Sequence, residues 1–348
     1  MLNQNYTIEY LIMSNIYGID LSSSEFTGII NREKLNLLSK DVGEDRWNAY
    51  RERWESANNY GKTEYPIQID FELNGTCNLK CKMCPMSEPI DDKGKVKIFD
   101  FETFKILIDK GINKGLECIN FSYVNEPLIR KDLSKFIKYA KNKGIVDIYF
   151  STNGLLLNDK NIRELIDSGL SRIQISIDAY TEKMFKIMRY GANLNKLLPK
   201  IDNLLKIRKE MNSLTPLVRV NFVRTKVNDH ELEDFVSFWK DKVDMIGIQE
   251  FVNFRESSTE FNNTPLEEHE STFKCRVPFK EMVVRYDGTV LPCCNFPGMK
   301  MPIGNVFETS VEDLWNGKQI NDLRQLHLEG RYRENEICKQ CVEVAWNE

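Results

Sequence analysis

The chain has 348 residues, 41% hydrophobic and 29% charged, with 48 basic and 52 acidic side chains mixed along it for a net charge of −4. That length affords one large domain, or a large domain with a small one, and the composition excludes a disordered or low-complexity chain. Charge so dispersed leaves no footprint for nucleic acid or an anionic membrane, and a small or locally recognised substrate is expected.

The N-terminus lacks a basic segment followed by a continuous apolar one, and no apolar run approaches the ~20 residues of a membrane span. The expected location is cytoplasmic. Nine cysteines in a reducing compartment, and an odd number of them, point to metal binding or catalysis rather than disulfides.

In chain order, the first 65 residues carry one clear signal, Asp45 to Trp54, where Trp47, Tyr50 and Trp54 recur at i, i+3 and i+7. Such a stripe predicts a helix packed on a core, covering the bottom or side of the main domain. Pro66-Ile-Gln-Ile-Asp-Phe-Glu-Leu73 then alternates at period two and reads as a strand. Further strand-like runs fall at Cys118–Tyr123, Val146–Ser151, Arg172–Ile177, Leu217–Val223 and Met245–Phe251, with helix-like runs near 100–114, 130–143, 159–168, 181–210 and 229–240. Six strands alternating with helices predict a parallel sheet in an open, partial (β/α)6 TIM-type barrel, with its active site at the C-terminal strand ends. The expected organisation is a helical extension (1–65), the partial barrel (66–253), a polar linker or lid (254–271) and a small cysteine-bearing domain (272–348). In the last, Glu281 to Leu291 reads as a hairpin turning at Asp287-Gly288.

The first strand delivers Gly75-Thr-Cys-Asn-Leu-Lys-Cys-Lys-Met-Cys-Pro85, with Cys77, Cys81 and Cys84 spaced Cys-x3-Cys-x2-Cys. A closed zinc site wants four ligands, and His230, His269 and His327 all lie far from this loop in sequence, so zinc would need a distant fourth cysteine. An iron–sulfur cube on three thiolates instead leaves one iron without a protein ligand, open for chemistry.

This loop, after the first strand of a βα-repeat, resembles that of the radical S-adenosylmethionine (SAM) superfamily. The resemblance implies a 4Fe-4S cluster whose open iron is chelated by SAM, and reductive cleavage of SAM to a 5′-deoxyadenosyl radical. Family positions recur in order over about residues 66–251. Tyr123-Val-Asn-Glu-Pro127 keeps Glu126 and Pro127, while Val124 and Asn125 replace the family's glycines. Ser151-Thr-Asn-Gly154 offers Ser151 and Asn153, and Ile175-Ser-Ile-Asp-Ala179 offers Ser176. Arg189 is placed like the arginine that pairs with the SAM carboxylate, for which a guanidinium fork is suited. Met83 stands where an aromatic near adenine is usual.

The tail cysteines form a second group. Cys275, twelve residues, Gly288, four residues and Cys293, then Cys338-Lys-Gln-Cys341, resemble the opening and close of the SPASM and twitch domains appended to such enzymes. The resemblance implies one auxiliary 4Fe-4S cluster on Cys275, Cys293, Cys338 and Cys341; a four-thiolate zinc site satisfies the same spacing. Cys118, within a strand, reads as a buried small hydrophobe, and Cys294 as either inert or a hydrogen-atom donor.

The single-cluster tail resembles that of radical aminocyclitol dehydrogenases. That implies oxidation of an alcohol on a sugar, aminocyclitol or similar small molecule, with the auxiliary cluster accepting an electron and a flavodoxin or ferredoxin as reductant. Modification of a ribosomal peptide, radical epimerisation and a non-catalytic two-cluster electron carrier are the competing expectations. Position alone nominates Glu250, at the sixth strand end, and Arg255 beyond it as base or substrate contacts.

Overall fold

The structure is a computed structural model that describes residues 20–24, 27–87, 98–251, 261 and 273–346. Its centre is six parallel strands, β3 (Gln68–Phe71), β4 (Cys118–Asn120), β5 (Asp147–Thr152), β6 (Arg172–Ser176), β7 (Leu217–Arg224) and β8 (Met245–Glu250), adjacent in the sheet in the order of the chain. Helices α3 (Phe101–Gly111), α4 (Leu133–Lys143), α5 (Asp159–Asp167), α6 (Glu182–Met188), α7 (Leu194–Glu210) and α8 (Leu232–Trp239) make the crossovers. This is the open partial barrel that the strand–helix alternation predicts.

Period-two alternation sorts the strand side chains between two buried faces. On β3, Ile69 and Phe71 belong to the main apolar core, where Phe71 packs edge-on against Phe104 of α3 with ring centroids 5.0 Å apart. Gln68 and Asp70 line the barrel cavity instead. Each fully buried Phe or Ile on the outward face contributes about 1.5–3 kcal/mol. The helices start where the sequence supplies caps: Asp100 accepts from the amides of Glu102 and Thr103, and Asn158 with Asn161 forms a reciprocal capping box.

The periodic run over 181–210 is two helices rather than one. Arg189 leaves helical geometry, Gly191 adopts φ +92°, and Asn193 caps α7 through the Lys196 amide at 3.0 Å. A glycine and a cap residue end one helix and start another in spite of continuous apolar periodicity.

Below the barrel lie α1 (Ser39–Val42) and α2 (Glu44–Asn58). Trp47 and Tyr50 of α2 are buried with Ile67, Cys118, Val146, Leu217 and Met245, residues at or just before the N-terminal ends of the strands. The aromatic stripe therefore plugs the bottom of the barrel. The extension is not wholly helical, however. β1 (Asp20–Ser24) and β2 (Thr27–Ile30) form a hairpin, and β2 pairs antiparallel with β8. A serine-rich stretch without alternation gives no strand signal of its own; the unpaired backbone of the edge strand β8 decides it.

The other edge is taken by the tail. β9 (Glu281–Val284) pairs in parallel with β3, and β10 (Thr289–Leu291) and β11 (Gly304–Asn305) continue outward. The Asp287-Gly288 turn has Gly288 at φ +82°, where glycine avoids the steric cost of a side chain. Three helices complete the tail, α9 (Val311–Asn316), α10 (Lys318–Leu328) and α11 (Glu336–Trp346). No helix among the described residues is long and apolar enough to cross a membrane.

Candidate active site

The three-cysteine loop leaves the C-terminal end of β3 and is held by the neighbouring strand ends. The Glu126 amide donates to the Thr76 carbonyl at 2.8 Å, and Asn153 Nδ2 donates to Asn78 Oδ1 at 2.8 Å. Asn125, which stands where the family has glycine, donates from Nδ2 to Asn74 Oδ1 at 3.1 Å, so its side chain ties the second strand end to the loop. Within the loop the Cys84 amide donates to the Cys81 carbonyl and the Leu79 amide points at Cys77 Sγ, 3.4 Å away.

Burial pushes all three thiols up, Cys84 to about 11, while the Arg189 guanidinium beside Cys81 acts in the opposite direction. Thiols that resist ionisation alone become thiolates when iron takes the proton's place. Arg189 makes an ion pair with Asp178 at the end of β6. Asp178 sits at φ +63°, a region in which aspartate is one of the few non-glycine residues found, and is anchored by the Val223 amide on Oδ1 at 2.8 Å. Arg189 Nε is buried and finds no acceptor among the described residues. Three gathered thiols and an unsatisfied guanidinium N–H fit a three-thiolate cluster with an anionic ligand beside it.

One cavity of about 550 Å³ takes in this loop and the barrel interior. Cys77, Cys81, Cys84, Met83, Glu126, Ser151, Asn153, Ser176, Arg189 and Cys294 all line it. Several of these already have partners. Glu126 accepts from Thr152 Oγ1 at 2.6 Å, the Asn153 amide at 2.8 Å and the Leu128 amide at 3.0 Å, so its carboxylate is committed to holding the loops. Ser151 Oγ donates to Gln174 Oε1 at 3.1 Å. Glu250 is the last residue of β8, between Gln249 and Phe251, which line the cavity. Arg255 and most of the expected linker lie outside the described residues.

Besides Asp147, which pairs with Arg172, the cavity wall holds two more acids that position along the chain does not nominate. Asp70 on β3 and Glu281 on β9 are buried and line the cavity. The signal for Asp70 is present in the sequence, since Gln68, Asp70 and Glu72 are the polar half of an alternating strand whose other half faces the helices. No local signal marks Glu281, which enters only because β9 pairs with β3.

The tail cysteines gather on the far side of the same seam. Burial and the nearby sulfurs of Cys341, Cys293 and Cys338 push the Cys275 thiol well up. Cys338 and Cys341 sit one turn apart on α11, capped by Asn335 Oδ1 on the Cys338 amide at 3.0 Å. Gly298 packs so closely that a Cβ there would lie 2.4 Å from Cys293 Sγ. Among the described residues no three His, Cys, Asp or Glu side chains converge on one point as a single metal ion requires. The loop after Cys293 faces both ways: Cys294 and Asn295 line the cavity, while Asn295 Nδ2 donates to Cys341 Sγ at 3.2 Å.

Thiol-rich strand-end loops on a partial barrel, with a second cysteine centre docked at its edge, define an iron–sulfur enzyme. The radical SAM superfamily model matches residues 71–238, and the model of the SPASM iron–sulfur cluster-binding domain matches residues 275–342. The chain belongs to the radical SAM superfamily and carries a C-terminal SPASM-type domain, and its cofactors are SAM and 4Fe-4S clusters. It is 34% identical over 186 residues to a GTP 3′,8-cyclase of Campylobacter jejuni, covering 53% of this chain and 55% of that one. A GTP 3′,8-cyclase of Alkaliphilus oremlandii is 31% identical, with 52% and 56% covered. The chain thus spans about half the length of the curated relatives it matches. Among solved structures, BtrN in complex with AdoMet and 2-DOIA covers 82% of this chain and 96% of its own, with TM-score 0.52 and 19% identity. Streptococcus suis SuiB bound to S-adenosylmethionine covers 93% and 79%, with TM-score 0.57 and 13% identity. At such identities these likenesses show the fold.

Proposed function

We propose that the protein is a radical SAM dehydrogenase that oxidises an alcohol of a sugar, aminocyclitol or similar small molecule. In this reading Cys77, Cys81 and Cys84 hold the SAM-binding cluster, and Cys275, Cys293, Cys338 and Cys341 hold an auxiliary cluster that accepts the second electron. SAM and its cluster, when bound, supply a 5′-deoxyadenosyl radical able to take a hydrogen atom from an unactivated C–H. Arg189 and the β6 end at Ser176 would orient SAM, with Met83 beside its adenine. The protein's remaining share is to hold the substrate carbinol, exclude water and receive the hydroxyl proton.

The observation that carries this reading is the double-facing loop at Cys294 and Asn295, which touches the cavity and the tail cysteines at once. An electron leaving a substrate in that cavity has a short route to the tail centre. The wall is rich in hydrogen-bonding groups, Gln68, Asn120, Ser122, Gln174 and Gln249 among them, as a polyhydroxylated ligand requires. A cavity of about 550 Å³ shared with SAM also suits a small molecule better than a peptide. Anaerobically reconstituted, reduced protein incubated with SAM and a panel of polyols should give ketone and 5′-deoxyadenosine in equal amounts. Oxidation of no hydroxyl compound in such a panel would sink the reading.

Cys294 favours a second reading, radical epimerisation, because its thiol lines the cavity and donates to Glu281 Oε1 at 3.2 Å. Cys294→Ala would then abolish inversion while leaving hydrogen abstraction intact, whereas a dehydrogenase would still form ketone.

A further inference from the structure

Two acids meet across the seam between barrel and tail. The parallel register sets Gln68 of β3 opposite Glu281 of β9, with Asp70 the next inward position of β3. Gln68 Nε2 bridges them, donating to Asp70 Oδ1 at 2.7 Å and to Glu281 Oε2 at 3.2 Å. Its amide is fixed in that sense by two donors on the other side, Cys118 Sγ at 3.1 Å and Tyr149 Oη at 3.3 Å, both to Gln68 Oε1. Cys294 Sγ lies 3.2 Å from Glu281 Oε1. Asp70 is 3% exposed and Glu281 7%, and both line the cavity.

No cation neutralises either acid among the described residues. Arg172 of β6 is bound to Asp147 of β5 at 2.7 Å, Arg219 of β7 donates to Gln174 at 2.6 Å and Asn221 at 2.8 Å, and Arg285 of the tail pairs with Glu72 at 2.8 Å. The other ionisable neighbours are Cys118 of β4, Tyr149 of β5, and Cys293 and Cys294 of the tail; burial keeps Cys118, Tyr149 and Cys294 neutral, and Cys293, a proposed cluster ligand, brings no positive charge. Asn120 of β4 supplies a further hydrogen bond to Asp70. Two buried carboxyl groups held on one amide nitrogen without a cation resist carrying two negative charges, which favours one proton staying with the pair. Burial and the Glu281 charge accordingly push the Asp70 carboxyl well above the usual carboxylate range. A purely structural acid in this position would be expected to have an arginine or lysine partner.

We propose that Asp70 and Glu281 hold one proton between them and form the proton-accepting site for a substrate hydroxyl in the barrel cavity, a role that rests on the alcohol-oxidation reading above. When a hydrogen atom has left the carbinol carbon, the hydroxyl O–H bond breaks and its electron pair stays on oxygen. The proton forms a new O–H bond on the ionised carboxylate, taking the pair from one negative charge to none. No electron is exchanged in that step; the one-electron oxidation that completes the ketone belongs to the auxiliary 4Fe-4S cluster. Gln68 is a positioning residue, fixing one oxygen of each carboxyl group on its amide nitrogen.

The test compares full-length reconstituted wild type with Asp70→Asn, Glu281→Gln and the double variant, which removes both carboxyl groups and leaves the shape of the pair intact. Infrared difference spectra near neutral pH should show a protonated carboxylic acid band in wild type that shifts in heavy water and is lost in both single variants. Substrate turnover should fall about 10²- to 10⁴-fold in each single variant, with iron content and thermal midpoint kept. A wild type without the band, a band surviving both substitutions, or turnover within about twofold of wild type in both would overturn the proposal. The infrared measurement needs no substrate. A band lost on substitution in a protein that oxidises no alcohol would therefore overturn the alcohol reading and the acceptor role, yet leave the shared proton standing.

Discussion

Asn295 lines the cavity and gives its amide N–H to Cys341 Sγ at 3.2 Å, so one side chain links the cavity to the tail cysteines. A hydrogen bond to a ligand sulfur withdraws charge from it and favours the reduced cluster. Asn295→Ala should therefore make the auxiliary centre harder to reduce. A redox titration followed by electron paramagnetic resonance reads this directly, and an unchanged or raised potential would remove Asn295 from that role.

The two cysteine groups are separable by their iron. Cys81→Ala should lose about half of the bound iron and all formation of 5′-deoxyadenosine, whereas Cys338→Ala should lose the same share of iron and still cleave SAM. Iron and sulfide analysis beside a SAM-cleavage assay decides it. Loss of SAM cleavage in the Cys338 variant, with its fold intact, would contradict the division of labour proposed for the two groups.

Arg189 combines an ion pair to Asp178 with a buried Nε that has no acceptor among the described residues. A lysine keeps the charge and loses the planar fork. Arg189→Lys should weaken SAM binding about 10- to 100-fold, measured anaerobically by calorimetry. Affinity equal to wild type would mean that Arg189 serves the loop alone.

Burial holds the Glu72 carboxyl at about 7, against an ordinary 4.5, even though Arg285 Nε lies 2.8 Å away and pulls it down. The fold favours the neutral form, so this group's contribution to stability is complete below about pH 4.5 and is lost as pH rises through about 7. Glu72→Gln removes the dependence. Relative to wild type, the variant should gain up to about 3 kcal/mol between about pH 5 and pH 8 in denaturant titrations. A stability difference that does not change with pH would show that Arg285 offsets the burial.

Most of the barrel is legible in the chain because period-two runs and helix caps are local signals. Ile69 and Phe71 announce β3 by alternation, and the cysteine spacing announces the loop after it. The features that escape are set by pairing between distant segments. The 20–30 hairpin has no alternation and exists because β8 offers an edge, and Glu281 gains meaning only in register with Gln68. Glu250 and Arg255 are nominated by proximity to a strand end, while Asp70, in plain view on an alternating strand, reads as part of a pattern until the barrel closes around it and makes it an acid on a cavity wall.

The parallel pairing of β9 with β3 has a consequence for how the chain is made. The Gln68 and Glu72 amides donate to the Lys280 and Val284 carbonyls, residues synthesised about 210 positions later. At typical rates of translation, roughly ten to forty seconds pass before the partner strand exists. Throughout that interval the nascent barrel presents a bare strand edge beside the three-cysteine loop. An unpaired edge is open to wrong pairing until its partner arrives, so the order of the strands makes docking of the tail the step that closes the barrel's exposed side.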